Sequence, residues 1–214
     1  MAADAGHKPE IRKFQLGKYN NNCYVLVCPK TKESILIDAS ADASIILKQL
    51  EGTKVKQIFL THGHADHIDA LEPVKAALKV PVGIHPGDAE RLSSPPDYTF
   101  GDGDTVTFGD HSAKVIHTPG HTKGSVCLLV DGTLIAGDTL FNGGPGKTGA
   151  AADLTAILET IRTKLMTLPD ETVVHPGHGD STTIGAQRPG FEAYLRQPRD
   201  PNYFGDVSWA DLAK

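Results

Sequence analysis

Long apolar runs are missing from this chain of 214 residues. The most apolar window, VCLLVDGTLIAG, is interrupted by Asp131 and Gly132 and is too short to cross a bilayer. The opening residues, MAADAGHKPEIRKF, have no apolar core of the kind a secretory signal needs. A cytoplasmic location is therefore expected, with no membrane partner. Dense basic runs are missing too. Lys and Arg number 21 against 26 Asp and Glu, for a net charge of -5, so nucleic acid is not an expected partner. Cysteine is scarce: Cys23, Cys28 and Cys127 are unevenly spaced and form no CxxC. That excludes a disulfide framework and leaves three small buried thiols as the expectation. There is no internal repeat and no low-complexity tract. A GxGxxG turn, a Walker loop and a GxSxG elbow are all lacking, which removes support for a nucleotide site or a serine nucleophile.

What is present suits one domain over residues 1–214, with a tail from about 199 to 214, rich in Asp, Pro and Asn, wrapping the surface. The 39% hydrophobic content is enough for a substantial core. Short β-like and helix-like runs alternate. EIRKFQLG, NCYVLVC, ESILID and VKQIFL read as early strands, with a helix over residues 43–52 stopped by Gly52. DHIDALEPVKAALK reads as a helix that Pro73 kinks or divides, and VPVGIHP as a short strand. DTVTFG, AKVIHT, GSVCLLVDG and TLIAGD form a β-rich middle, with a hairpin expected at Asp131-Gly132. DLTAILETIRTKLMTL has helical apolar spacing. TVVHPG is a last strand, and GAQRPGFEAYLRQ begins a last helix. The pattern is that of an α/β (α+β) protein, mixed sheets covered by helices.

The segment THGHADHIDA, at a strand exit, crowds His62, His64, Asp66 and His67 into six positions. Residues two apart in extended chain point the same way, so His62 and His64 face a common side. Asp66 and His67 open the next helix. Imidazoles and carboxylates together suit borderline divalent metals. Three further strand exits repeat the setting: His121 in HTPGHTKGS, Asp138 in IAGDTLF and His178 in HPGHGDSTT. Seven such residues suit two metals sharing a bridging carboxylate, about 3.5–4 Å apart. His117 and His175 read as packing or hydrogen-bonding groups, and His7, His85 and His111 as surface or structural. Asp38, ending LIDAS, is a candidate brace for the ligand loop.

These motifs, from about Asn21 to about Gly185, resemble the metallo-β-lactamase superfamily. THGHADH, TPGHTKGS, GDTLF and PGHGDSTTIG look most like its glyoxalase II-like (hydroxyacylglutathione hydrolase-like) hydrolases. The resemblance implies a four-layer αββα sandwich of two mixed β-sheets flanked by helices, with the metals at one edge. It implies that His62, His64 and His121 hold one ion, that Asp66, His67 and His178 hold the second, and that Asp138 bridges. The two divalent ions are expected to be zinc, with iron or manganese also compatible with nitrogen and oxygen donors. Asp138 stands where β-lactamases of the superfamily commonly have cysteine or serine, which argues against antibiotic hydrolysis. Only about 30 residues follow the last motif, so the helical glutathione-binding domain of long glyoxalase II enzymes is not expected here. The loop at 142–152 also differs from theirs, and its Lys147 is a candidate contact for an anionic substrate.

The activity implied is hydrolysis of a small-molecule thioester or related acyl ester by a hydroxide bridging the two ions, with Asp66 orienting it and accepting a proton. A mononuclear iron persulfide dioxygenase, holding iron through His62 or His64 with His121 and Asp138, is the alternative on the same scaffold. Lactonase, phosphodiesterase, tRNA-processing nuclease and non-enzymatic metal-binding readings are weaker.

Overall fold

Strand β2 (Asn21–Val27) shows how the layers arise. Cys23, Val25 and Val27 point to one face, and Tyr24 and Leu26 to the other, yet all five are buried. A strand apolar on both faces must be covered on both. In the computed structural model, which describes residues 8–210, it is. One sheet runs in the order β1 (Glu10–Leu16), β2, β3 (Glu33–Ile37), β4 (Lys54–Phe59), β5 (Val82–Ile84) and β6 (Tyr98–Thr99), antiparallel as far as β3 and parallel from there. Helices α1 (Ala43–Gln49), α2 (Ala65–Ile68) and α3 (Leu71–Leu78) belong to this half. Ile46, Leu50, Leu71 and Val74 from its helical segments pack on Val25, Leu36 and Ile58 of the sheet's outer face.

The second sheet is built from β7 (Thr105–Phe108), β8 (His111–His117), β9 (Val126–Val130), β10 (Thr133–Gly137), β13 (Val173–Pro176) and β14 (Thr182–Thr183). It is antiparallel except where β10 runs parallel to β13. A small hairpin, β11 (Leu140–Phe141) with β12 (Gly144–Pro145), lies between β10 and helix α4 (Ala151–Thr160). One π-helical turn, Ile161–Leu165, extends α4, and α5 (Ile184–Arg196) covers the same outer face. Between the sheets, Tyr24, Leu26, Ile35, Ile37 and Phe59 meet Phe108, Val115, Leu128 and Ile135. The result is the four-layer αββα sandwich of two mixed sheets that the sequence motifs implied.

Local chemistry explains the boundaries. Asp131 and Gly132 both have positive φ, 45° and 77°, as a two-residue hairpin turn of this type requires. The helix expected over DHIDALEPVKAALK is divided, but Pro73 does not divide it. The break falls at Asp69-Ala70, and Pro73 sits in the first turn of α3, where a missing N–H removes no helical bond. Pro189 lies inside α5 without ending it. No helix among the described residues is long and apolar enough to cross a membrane. Cys23, Cys28 and Cys127 are all free and buried.

Residues 199–208 run mostly exposed. Trp209 ends that run by dropping into the core: it is 1% exposed, packs edge-on to Phe191, and donates from its indole N–H to Gln187 Oε1 at 3.0 Å. The described part of the tail is thus a strap pinned at Trp209. Trp209→Ala should cost about 3–5 kcal/mol in chemical denaturation, the usual range for deleting a buried tryptophan. It should also expose the strap to limited proteolysis.

Candidate metal centre

All seven residues marked in the sequence converge at one end of the sandwich, on turns that leave the carboxyl ends of β4, β8, β10 and β13. His62 and His64 follow β4, and Asp66 and His67 lie on the single turn of α2. His121 lies between β8 and β9, Asp138 follows β10 directly, and His178 follows β13. Cross-sheet hydrogen bonds hold these turns together: Val126 N donates to Thr61 O at 2.9 Å, and Asn22 N to Gly177 O at 2.7 Å.

The donor atoms fall into sets within which no two are more than 4.8 Å apart: His62, His64 and His121; Asp66, His67 and His178; and His62, His67 and Asp138. Asp138 faces both of the first two sets. Its Oδ1 lies 3.3 Å from His67 Nε2, and its Oδ2 lies 3.5 Å from both His121 Nε2 and His178 Nε2. Tetrahedral coordination at 2.0–2.1 Å places neighbouring donors about 3.3–3.4 Å apart, so these spacings match the edges of a cage. The fit is chemical as well as geometric. His62 Nε2, His121 Nε2 and Asp138 Oδ1 are buried without a hydrogen-bond partner. Three such atoms aimed at one centre are costly unless something binds them.

In four of the five histidines the far ring nitrogen is already engaged, which frees the other to ligate. His67 Nδ1 lies 2.8 Å from Asp38 Oδ2, His121 Nδ1 2.8 Å from Lys147 O, and His178 Nδ1 3.2 Å from Tyr19 O. His62 Nδ1 is 3.1 Å from Thr61 Oγ1. Asp38 does bond to the ligand turn, as its position after β3 suggested. Buried and in left-handed backbone, it also accepts from Thr61 N and Thr61 Oγ1, both at 2.8 Å. His117 stacks on His85 and bonds to Lys123 O, while His175 bonds to Ser181 Oγ. His111 pairs with Asp131, and His7 lies outside the described residues.

Two residues at the centre went unmarked in the sequence. Asn21 Nδ2 donates to Asp66 Oδ2 at 2.8 Å. Asp88, on a 3-10 turn after β5, bonds to the backbone beside His64. A run of three asparagines at a strand start was the only trace of the first, and Asp88 left none.

Charge at the centre is divided unevenly. Burial drives His62 well below the ordinary histidine value, and burial also lowers His64. For His67 burial acts in the same direction, but the carboxylates of Asp38 and Asp138 outweigh it and hold the ring up to about 10. Asp138 stays ionised well below the usual carboxylate range: burial opposes this, but the bonds and charges of the surrounding histidines prevail. His62, His67 and Asp138 are buried, whereas His64, Asp66, His121 and His178 are partly exposed. The centre therefore has a closed back and an open front. The front is a cleft of about 370 Å³ walled by Phe141, Pro145, Val207 and Ser208. At its rim Lys147 Nζ lies 3.5 Å from Asp206, and both side chains are exposed.

Comparison with known proteins agrees with this geometry. The model of the metallo-beta-lactamase superfamily matches residues 16–178. The chain belongs to that superfamily. It is 42% identical over 156 residues to a hydroxyacylglutathione hydrolase from Rhizobium etli, covering 70% of this chain but only 59% of that one. The chain thus spans about three-fifths of that relative's length. Among solved structures it is similar to BLEG-1 B3 metallo-beta-lactamase (TM-score 0.77, 31% identity, 83% of this chain and 96% of that one). It is also similar to ETHE1 from Myxococcus xanthus (0.75, 27%, 84% and 81%). A third likeness is to TTHA1623 in a di-iron-bound form (0.70, 31%, 83% and 96%).

Two outcomes follow for the metal-free protein. Asp38→Ala removes the partner of His67 and of Thr61, and should weaken Zn(II) binding about 10–100-fold in chelator competition. A metal must also displace the proton that His67 keeps up to about 10. Zn(II) affinity should therefore rise as pH climbs from 6.5 towards 10 and fall on acidification, with proton release measurable by calorimetry in buffers of different ionisation enthalpy.

Proposed function

We propose that the protein is a metal-dependent hydrolase of small acyl thioesters or related esters, using two divalent ions held by His62, His64, Asp66, His67, His121, Asp138 and His178. The observation that carries this reading is the pair of three-residue donor sets with Asp138 facing both. When bound by these residues, two such ions would supply Lewis acidity: a coordinated water would have its pKa lowered from about 15.7 to near 7, and an acyl oxygen would be polarised. Zinc is our first choice, and the di-iron form of TTHA1623 makes iron a second.

The chain's own groups supply the rest. Asp66 is partly exposed, and its Oδ2 is oriented by the Asn21 amide. It is placed to take a proton from the attacking water and return it to a leaving group. Phe141, Pro145 and Val207 give the acyl portion an apolar wall. The hydroxyacylglutathione hydrolase likeness supports a thioester.

A second reading has its own support. The likeness to ETHE1 fits an iron-dependent persulfide dioxygenase that uses His62 or His64 with His121 and Asp138. Metal counting on protein grown with iron and zinc, followed by thioester, ester, lactone and β-lactam assays, separates the readings. The hydrolase reading expects about two metals per chain and thioester turnover. One iron per chain, with oxygen uptake on glutathione persulfide, would replace it. Asp66→Asn should lower kcat by about 10²–10⁴, the range for loss of a general base. An unchanged rate in fully metal-loaded Asp66→Asn would remove that role.

A further inference from the structure

Asp88 belongs to no donor set, yet it is 1% exposed. It lies on the 3-10 turn Pro86–Arg91 that leaves β5. Its two oxygens are divided between two other turns. Oδ2 accepts from Gly63 N at 2.8 Å, and Oδ1 accepts from Gly124 N at 2.9 Å. Gly63 lies between His62 and His64, and Gly124 lies three residues past His121. One carboxylate thus ties together the two turns that carry a single donor set. Arg91 Nε, 3.6 Å from Oδ1, supplies the compensating charge that a buried carboxylate needs.

The packing is as close as the hydrogen bonding. A Cβ on Gly124 would come within 2.8 Å of Asp88 Cβ, and one on Gly63 within 2.8 Å of Arg91 Cβ. Gly87 approaches the Lys123 carbonyl so closely that a Cβ there would stand 2.9 Å from it. The turn holding Asp88 is therefore wedged against both histidine turns.

We infer that Asp88 is a positioning residue: it sets the separation of the His62–His64 turn from the His121 turn, and so governs the metal position formed by those three histidines independently of the one formed by Asp66, His67 and His178. This rests on the two-ion reading above. Asp38 plays a different part, because it bonds both to His67 and, through Thr61, to the start of the His62 turn. Asp88 accepts only from the turns that carry His62, His64 and His121, and bonds to none of Asp66, His67 and His178. A shift of a few tenths of an ångström between them spreads His64 from His121, whose rings now meet edge to face at 4.5 Å.

Asp88→Asn tests this. The side chain keeps its size, but only its carbonyl oxygen can accept an N–H. The amide nitrogen then faces the second N–H donor to donor. Titration of the metal-free variant with Zn(II), with metal counted by mass spectrometry, should show one of two classes of site weakened about 10–100-fold. The ring ¹⁵N resonances of His64 and His121 should stay at metal-free positions while those of His67 and His178 report bound metal. In the metal-free state, exchange at the Gly63 and Gly124 amides should speed up. Asp97→Asn is the control: Asp97 caps Val82 N at 2.8 Å and pairs with Lys75, away from both turns, and should leave both affinities unchanged.

Equal weakening of both classes, in step with a general loss of thermal stability, would overturn the inference. So would unaltered zinc affinity and amide exchange. In the wild-type metal-free protein the Gly63 and Gly124 amides should already be protected, and fast exchange there overturns the inference whether or not the variant folds. If the wild type binds a single zinc, the two-ion reading fails. The inference then survives only if that ion engages His64 and His121 and is weakened in Asp88→Asn. A wild type that binds no zinc ends both.

Discussion

The buried carboxylate of Asp38 is the constraint on which the centre depends. It receives the Thr61 backbone N–H, the Thr61 hydroxyl and the His67 ring. These three bonds join the end of β3 to the exit of β4 and to the turn of α2. Without them the turn after β4 would lose three of the bonds that fix its path, and the orientation of His62, which bonds to Thr61 Oγ1, would be loosened as well. A buried charge is expensive, and here it is spent on geometry. The negative centre also draws positive character towards His67, so a site whose side chains are able to hold cations holds a proton in their absence.

The cage follows from strand direction. Ligand turns at the carboxyl ends of β4, β10 and β13 meet at one edge because the sheets are stacked face to face with these ends together. Antiparallel pairing elsewhere gives the sheets their width, while the parallel β3-β4 and β10-β13 pairs bring turns from distant stretches of sequence to the same rim. The back of the cage is closed by apolar strands, which strengthens electrostatic contacts inside it. Its front remains open to a cleft.

Much of this was legible in the sequence, for physical reasons. Strands apolar on both faces and helices with a clear apolar stripe announce themselves, so β2, β9, α4 and α5 were read close to their observed bounds. Asp131-Gly132 needed the positive φ that its turn adopts. The seven donors stood out because histidine and aspartate at strand exits beside glycine are rare without cause. The two-residue strands β6, β11, β12 and β14 are too short for any periodicity to register. Asp88 looked like a surface acid in PGDAER, since its partners are backbone amides 25 and 36 residues away. Trp209 sat in a stretch rich in polar residues, and its burial depends on a groove made by α5 and the loop after β11. The superfamily likeness carried the rest: it made the layer order an expectation before any pairing was known.

The strap that Trp209 anchors has a consequence for the order in which the working molecule comes together. Every residue of the cage has left the ribosome once His178 has, but the wall formed by Val207 and Ser208 arrives some thirty residues later. The outer wall of the cleft can therefore drift in sequence without disturbing the donor residues behind it.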